Sequence, residues 1–158
     1  WENSKIATLA NKRFCELRKN KYKTYAEGFW GLTACVGPDG YKGYGGGPGN
    51  VLHDGTIGIS AVGGSVMFLP EVCIPTLKLI YDRYKDEVYT EYGFVNSFNL
   101  DREWFANESL GIDTGITLLS IENYQTGFVW KYFMRNKAIQ KFVSLCFNKK
   151  EKVKEGKR

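Results

Sequence analysis

Gly111-Ile112-Asp113-Thr114-Gly115-Ile116, running on to Ile121-Glu122-Asn123-Tyr124-Gln125-Thr126-Gly127, places one acid at a helix start and another within an otherwise apolar helix. The helix is expected from Asp113 to about Gln125, with Gly127 as its break. Ile116, Leu118, Leu119 and Ile121 crowd its turns, so the segment is expected to be largely buried. A buried carboxylate needs hydrogen-bond partners or a polar cavity.

Two readings of Asp113 stay open. Asp is a favoured N-cap, accepting an amide hydrogen from the first turn. The positive end of the helix would also favour its charge at the rim where helices begin, as a general base requires. Glu122 follows nine positions later, which at 3.6 residues per turn puts it across the helix from Asp113. It can bridge to Lys131 or Arg135, or touch a ligand together with Asn123. Glu71, next to Pro70 at another helix start, has the same pair of explanations.

Outward from this segment, residues 2–19 lack Gly and Pro and carry Ile6, Leu9, Ala10, Phe14 and Leu17, which predicts an amphipathic helix. From Gly28 to Gly58 the pattern becomes Gly, Pro, Asp, Asn and Tyr, a long irregular loop of the kind that lines a site. It is not a phosphate loop, because no Gly-Lys-Ser/Thr follows the glycines. Ala61, Gly63, Gly64 and Ser65 are spaced for close backbone approach. A further helix is expected from Pro70 to about Lys85, with Pro75 as a kink or late start. Glu91 to Trp104 reads as an aromatic loop with at most one short strand. Phe128–Met134 and Ala138–Phe147 complete five or six helices.

The 158 residues suffice for one domain with a core, and 43% hydrophobic with 25% charged residues excludes a disordered chain. No apolar run approaches the roughly 20 residues that span a bilayer. Trp1-Glu2-Asn3-Ser4-Lys5 has no signal-peptide pattern and looks like an internal cut. The net charge of +5 is concentrated at the ends: residues 24–148 hold nine Lys/Arg and thirteen Asp/Glu. The aromatic-rich middle is therefore acidic, which argues against nucleic acid as a partner. Cys15, Cys35, Cys73 and Cys146 show no C-x-x-C spacing, and His53 is the only histidine, so no metal site is expected. Apolar neighbours suit these cysteines to buried free thiols. His53-Asp54 lacks an activated Ser or Cys for a triad.

Trp30-Gly31-Leu32-Thr33-Ala34, Asp54-Gly55-Thr56, Pro70-Glu71, Tyr92-Gly93-Phe94, Phe98-Asn99, Gly111-Ile112-Asp113 and Ile121-Glu122-Asn123-Tyr124 occur in one order from about Asn11 to Phe147. In these motifs the chain resembles the bacterial glycoamylase-like domain family, which includes endo-β-1,2-glucanases and the glucan-processing domain of cyclic β-1,2-glucan synthases. The resemblance implies an all-α fold of the (α/α)6 toroid type with long aromatic and Gly-rich loops. Too short for twelve helices, residues 1–148 look like its C-terminal half, with 149–158 a basic, flexible tail. It further implies a glycoside hydrolase or transglycosylase acting on β-glucan, best matched to β-1,2-linked chains, with no cofactor.

On that resemblance Asp113 is the candidate catalytic base or water-positioning residue, and the other half of the toroid supplies the acid. Trp30, Thr33, Asp54, Glu71, Tyr92, Phe98, Asn99, Glu122 and Asn123 match cleft-side positions, the rings for stacking and the polar groups for hydroxyls. Thr114 departs from the Gln that relatives commonly carry, and Gly58-Ile59-Ser60-Ala61 replaces Ala-Pro-Thr-Ala, which bears on substrate preference. Two alternatives remain: an inactive carbohydrate-binding remnant, and a helical interaction module pairing with a separate N-terminal half. A half-toroid is expected to expose an apolar face, hence a partner segment or self-association. Relatives that act on external glucans favour an extracytoplasmic location.

Overall fold

The computed structural model describes residues 1–46 and 49–147. The tail expected at 149–158 lies outside the described residues. About half the chain is helical. The N-terminal helix α1 spans Glu2–Glu16 and buries Thr8 and Cys15 on its inner side. Asn11 on that helix clasps the next layer: its Nδ2 donates to Leu32 O and its Oδ1 accepts from Leu32 N, both at 2.9 Å. The short helix α2, Lys23–Ala26, is held from far along the chain, because Lys23 N and Thr24 N both donate to the carboxylate of Asp101.

The segment expected to be an irregular loop instead folds into strands. Ala34–Gly37 (β1) and Gly40–Gly43 (β2) form a hairpin closed at Pro38-Asp39, and Gly45 bridges to Leu52. Each strand is only four residues long and Gly-bounded, too short to show alternation in sequence. Ile57–Gly58 (β3) then leads into the helix α3, Ile59–Gly63.

Pro70–Val88 forms α4, continuing past the expected end at Lys85. Pro70 starts it and Pro75 is absorbed within its length, while Tyr84 leaves helical geometry near the end. Four more strands follow where at most one was expected: β4 (Tyr89–Thr90), β5 (Gly93–Phe94), β6 (Ser97–Asn99) and β7 (Trp104–Phe105). β4 and β5 form a second hairpin, and β3, β6 and β7 form an antiparallel sheet pairing Ile57 with Phe98 and Phe98 with Phe105. The all-α expectation thus has to admit seven short strands among the described residues. They lie between the helices and carry the loops that shape the site.

The core gathers where this sheet meets α4. Trp30, Phe29, Ile57, Phe98, Ile80 and Val88 are almost fully buried. Phe98 stacks on Phe105 at 5.8 Å between centroids and meets Phe29 edge-on at 5.4 Å. Burying rings of this size removes the most apolar area per residue from water, about 1.5–3 kcal/mol for a Phe.

The chain ends with α5 (Gly111–Thr126), α6 (Phe128–Phe133) and α7 (Lys137–Phe147). Gly127, at φ 69°, takes the left-handed turn between the first two, as expected of a helix-ending glycine. The expectation that α5 is largely buried is not met: only Ser120 and Asn123 are buried, and Ile112, Ile116, Leu118 and Leu119 face outward. The helix is apolar on several sides but has neighbours, α3 and α6, on only some of them. No residue of α6 or α7 is buried, and Phe133, Phe142, Leu145 and Phe147 extend the exposed apolar surface. No helix among the described residues is long and apolar enough to cross a membrane.

Candidate functional site

Close packing of α3 against α5 sets the position of the site. A Cβ placed on Gly63 would lie 2.3 Å from Thr117 Oγ1, so only glycine permits this approach. The contact is reinforced by Ser120, whose hydroxyl donates to Gly64 O at 3.1 Å and accepts from Met67 N at 3.0 Å. With α5 seated there, its first turn projects over the junction of β1, β6 and α3.

Asp113 occupies that first turn. It is not the N-cap, which corrects one of the two sequence readings: the cap position is Leu110 and no side chain caps the helix. The amide of Asp113 is bonded back to Leu110 O at 3.0 Å, and its carboxylate meets a side chain from outside the helix. Asn96 Nδ2 donates to Asp113 Oδ2. Among the described residues, Asp113 Oδ1 has no hydrogen-bond partner.

Two adjoining hollows meet at Asp113 and Ser60. One, of about 410 Å³, is bordered by Thr33, Tyr41, Asn96 and Ile116. The other, of about 360 Å³, is bordered by Tyr89, Tyr92, Phe94 and Thr117. Tyr41 and Tyr92 are each 69% exposed, and one borders each hollow. Glu91 is the other carboxylate bordering either hollow among the described residues, and it stands exposed in the β4–β5 turn. Hydroxyls, amides, a carboxylate and tyrosine rings together make a surface suited to a polyhydroxylated ligand with apolar faces, such as a sugar.

The residues singled out in the sequence divide into three groups. Asp113, Thr33 and Tyr92 come together at the hollows. Trp30, Phe98 and Asn99 do not: each is at most 1% exposed, so the stacking or hydroxyl contact expected of them is replaced by a role in the core. Trp30 Nε1 donates to Thr76 Oγ1 at 3.1 Å. Asn99 donates to Thr56 Oγ1 at 2.9 Å and to Asp54 O at 3.2 Å. Asp54 folds back on its own loop, accepting from Thr56 N at 2.9 Å and from the Tyr44 hydroxyl at 3.1 Å. Burial pushes the Tyr44 hydroxyl up to about 12, which keeps it a donor to that carboxylate.

The remaining three lie elsewhere. Glu71 is exposed on the first turn of α4. Glu122 accepts from Thr126 Oγ1 at 2.7 Å, no bridge to Lys131 or Arg135 forms among the described residues, and the Arg135 guanidinium lies over Tyr132. Asn123 joins α5 to α6, its Oδ1 accepting from Trp130 N at 3.0 Å. Sequence reasoning passed over Asn96, whereas Ser60 entered it only within the Gly58-Ile59-Ser60-Ala61 departure and Tyr41 only as one of many loop aromatics. A signal existed for Asn96: the polar pair Asn96-Ser97 stands between Val95 and Phe98, and such a pair in an apolar strand requires internal partners.

Residues 1–137 match the profile of the Glycoamylase family, which carries a glucoamylase description. A curated relative from Parabacteroides distasonis, an exo β-1,2-glucooligosaccharide sophorohydrolase acting at the non-reducing end, is 28% identical over 141 residues, covering 89% of this chain and 19% of the relative. Among solved structures, an endo-β-1,2-glucanase from Chitinophaga pinensis, in complex with sophorotriose and glucose, superposes with a TM-score of 0.78 at 30% identity, over 87% of this chain and 32% of that one. A Bacteroides uniformis crystal structure under the glucoamylase label superposes with a TM-score of 0.77 at 39% identity, over 86% of this chain and 32% of that one. The chain spans from about a fifth to a third of the length of these relatives.

Proposed function

Because the chain belongs to the Glycoamylase family, we propose that it forms part of a glycoside hydrolase domain acting on β-1,2-linked glucan, with Asp113 as its general base. Residues 1–148 are assigned to the C-terminal portion of an (α/α)6 toroid. The relatives' names support the substrate class. The observation that carries the catalytic assignment is the carboxylate itself: Asn96 holds Oδ2, Oδ1 has no partner among the described residues, and both hollows border it.

The chemistry follows from that placement. A water hydrogen-bonded to Asp113 Oδ1 gives up a proton to the carboxylate as its oxygen attacks the anomeric carbon. The glycosidic C–O bond breaks, and the departing oxygen takes a proton from a carboxylic acid supplied by the rest of the toroid. The two hollows hold the sugar units on the two sides of the scissile bond, with Tyr41 and Tyr92 as stacking faces, Thr33 and Ser60 as hydroxyl partners. The apolar surface of α5, α6 and α7 is covered by the remainder of the same toroid.

One observation favours a second reading, that of a carbohydrate-binding surface without turnover: the second carboxylate at the hollows, Glu91, is exposed in a turn, not enclosed beside Asp113. Linear β-1,2-glucan is incubated with the full-length polypeptide and with its Asp113→Asn variant, and products are separated by chromatography. Hydrolysis that falls at least about 100-fold in the folded variant supports the enzyme reading. Affinity without product in both proteins replaces it with the binding reading.

A further inference from the structure

We propose that Asn96 is a positioning residue for the Asp113 carboxylate, a proposal that rests on the hydrolase reading above. Asn96 is 1% exposed, and each of its polar groups is engaged. Its amide N–H donates to Glu108 O at 2.9 Å and its carbonyl accepts from Ile59 N at 3.1 Å. Its side-chain oxygen accepts from Val36 N at 2.7 Å and from Ser97 Oγ at 3.1 Å. The Ser97 hydroxyl shares its one hydrogen with Val36 O, so it is the Val36 N–H that fixes which end of the side-chain amide is which: the reverse orientation would set the NH2 group against that N–H and the oxygen against a carboxylate.

The NH2 group must therefore point at Asp113, where it donates to Oδ2. Four segments converge on this one residue: β1 through Val36, the start of α3 through Ile59, the strand-to-helix connection through Glu108, and α5 through Asp113. A buried amide tied in this way cannot swing, so the carboxylate it holds keeps one oxygen committed and the other aimed into the hollows. A misplacement of about 1 Å in a catalytic group can cost roughly 100-fold in rate, so the tie bears on turnover more than on binding.

The test uses three variants of the full-length polypeptide. Asn96→Asp keeps the shape and the acceptor for Val36 and Ser97 but replaces the donor to Asp113 with an oxygen. Asp113→Asn removes the charge. The exchange variant, Asn96→Asp with Asp113→Asn, restores a donor–acceptor pair with the charge on the wrong side. Melting midpoints are read for all three, and kcat and KM on linear β-1,2-glucan for the folded ones.

The expected result is that Asn96→Asp lowers the midpoint by about 4 °C or more and kcat by ten- to a hundredfold, with KM within about threefold of wild type. The exchange variant recovers the midpoint and stays as inactive as Asp113→Asn. An unchanged kcat in folded Asn96→Asp overturns the proposal. Should Asn96→Asp not fold, an exchange variant that folds supports it, and one that also fails overturns it. A wild-type protein that leaves glucan uncut overturns the hydrolase reading and not the pair, since the midpoints read the Asn96–Asp113 coupling without substrate.

Discussion

The indole of Trp30 donates its one hydrogen bond to the hydroxyl of Thr76, 3.1 Å away on α4, and that hydroxyl in turn donates to Val72 O at 2.9 Å. The ring is thereby part of the core and turned away from the hollows. Trp30→Phe is expected to cost about 1–3 kcal/mol, from lost volume and an unmade hydrogen bond, and Trp30→Ala about 3–5 kcal/mol. Urea titrations of the two variants read these values. A loss confined to glucan affinity, with stability unchanged, would contradict the placement of the ring.

Tyr92 is the opposite case. Its ring is open to solvent in the turn between β4 and β5 and contributes little to the core. Tyr92→Ala is expected to leave the melting midpoint within about 1 °C while weakening glucan binding roughly fivefold, about 1 kcal/mol of lost stacking. Isothermal titration with β-1,2-glucooligosaccharides measures it.

Gly63→Val drives a branched side chain into Thr117 at the α3–α5 contact. The strain is expected to cost about 1–3 kcal/mol. Because Asp113 rides on the displaced helix, kcat should fall along with stability. The double variant Gly63→Val with Thr117→Gly relieves the clash and should recover part of both, as read by denaturation and rate assays.

His53 is packed against Phe14, Tyr22 and Tyr25, and its Nδ1 has no hydrogen-bond partner among the described residues. Burial first, then the nearby Arg18 and Lys21 cations, lower its pKa below the ordinary value of 6.5, against the opposing pull of Asp54. The unfolded chain therefore takes up a proton that the folded chain refuses. Stability is unaffected above pH 6.5 or so and declines as the pH falls from there through the depressed folded value. Urea midpoints measured between pH 7.5 and 5 should show the decline, and His53→Phe should flatten the part of it that begins near 6.5.

Burial pushes the thiol of Cys15 up to about 11 and those of Cys35 and Cys73 up to about 12, whereas Cys146 is exposed on α7. Only the thiolate reacts with alkylating reagents. Under native conditions at pH 8, mass spectrometry after brief iodoacetamide treatment should find Cys146 modified and the other three intact. The expectation that all four are buried thiols thus holds for three of them.

The long helices were legible in the sequence because periodicity over many residues averages out local exceptions. α1, α4 and α5 appear within a few residues of their expected bounds. The strands were not, since they run from two to four residues, and β3 is held by a partner far away, Ile57 by Phe98. The same limit governs the site. Asp113 could be picked out because an acid in an apolar helix is locally anomalous. Asn96 could not be given its role, because its partners Val36 and Asp113 lie 60 residues before it and 17 after. Aromatic residues in loops said that rings were plentiful, but whether Phe98 faces inward and Tyr92 outward depends on a sheet that no single stretch encodes.

The two anchor points of α5, Thr117 against Gly63 and Asp113 against Asn96, lie about one helical turn apart. A rod clamped at two successive turns resists rolling, so Ile112 and Leu118 stand outward from a helix whose rotation is already set.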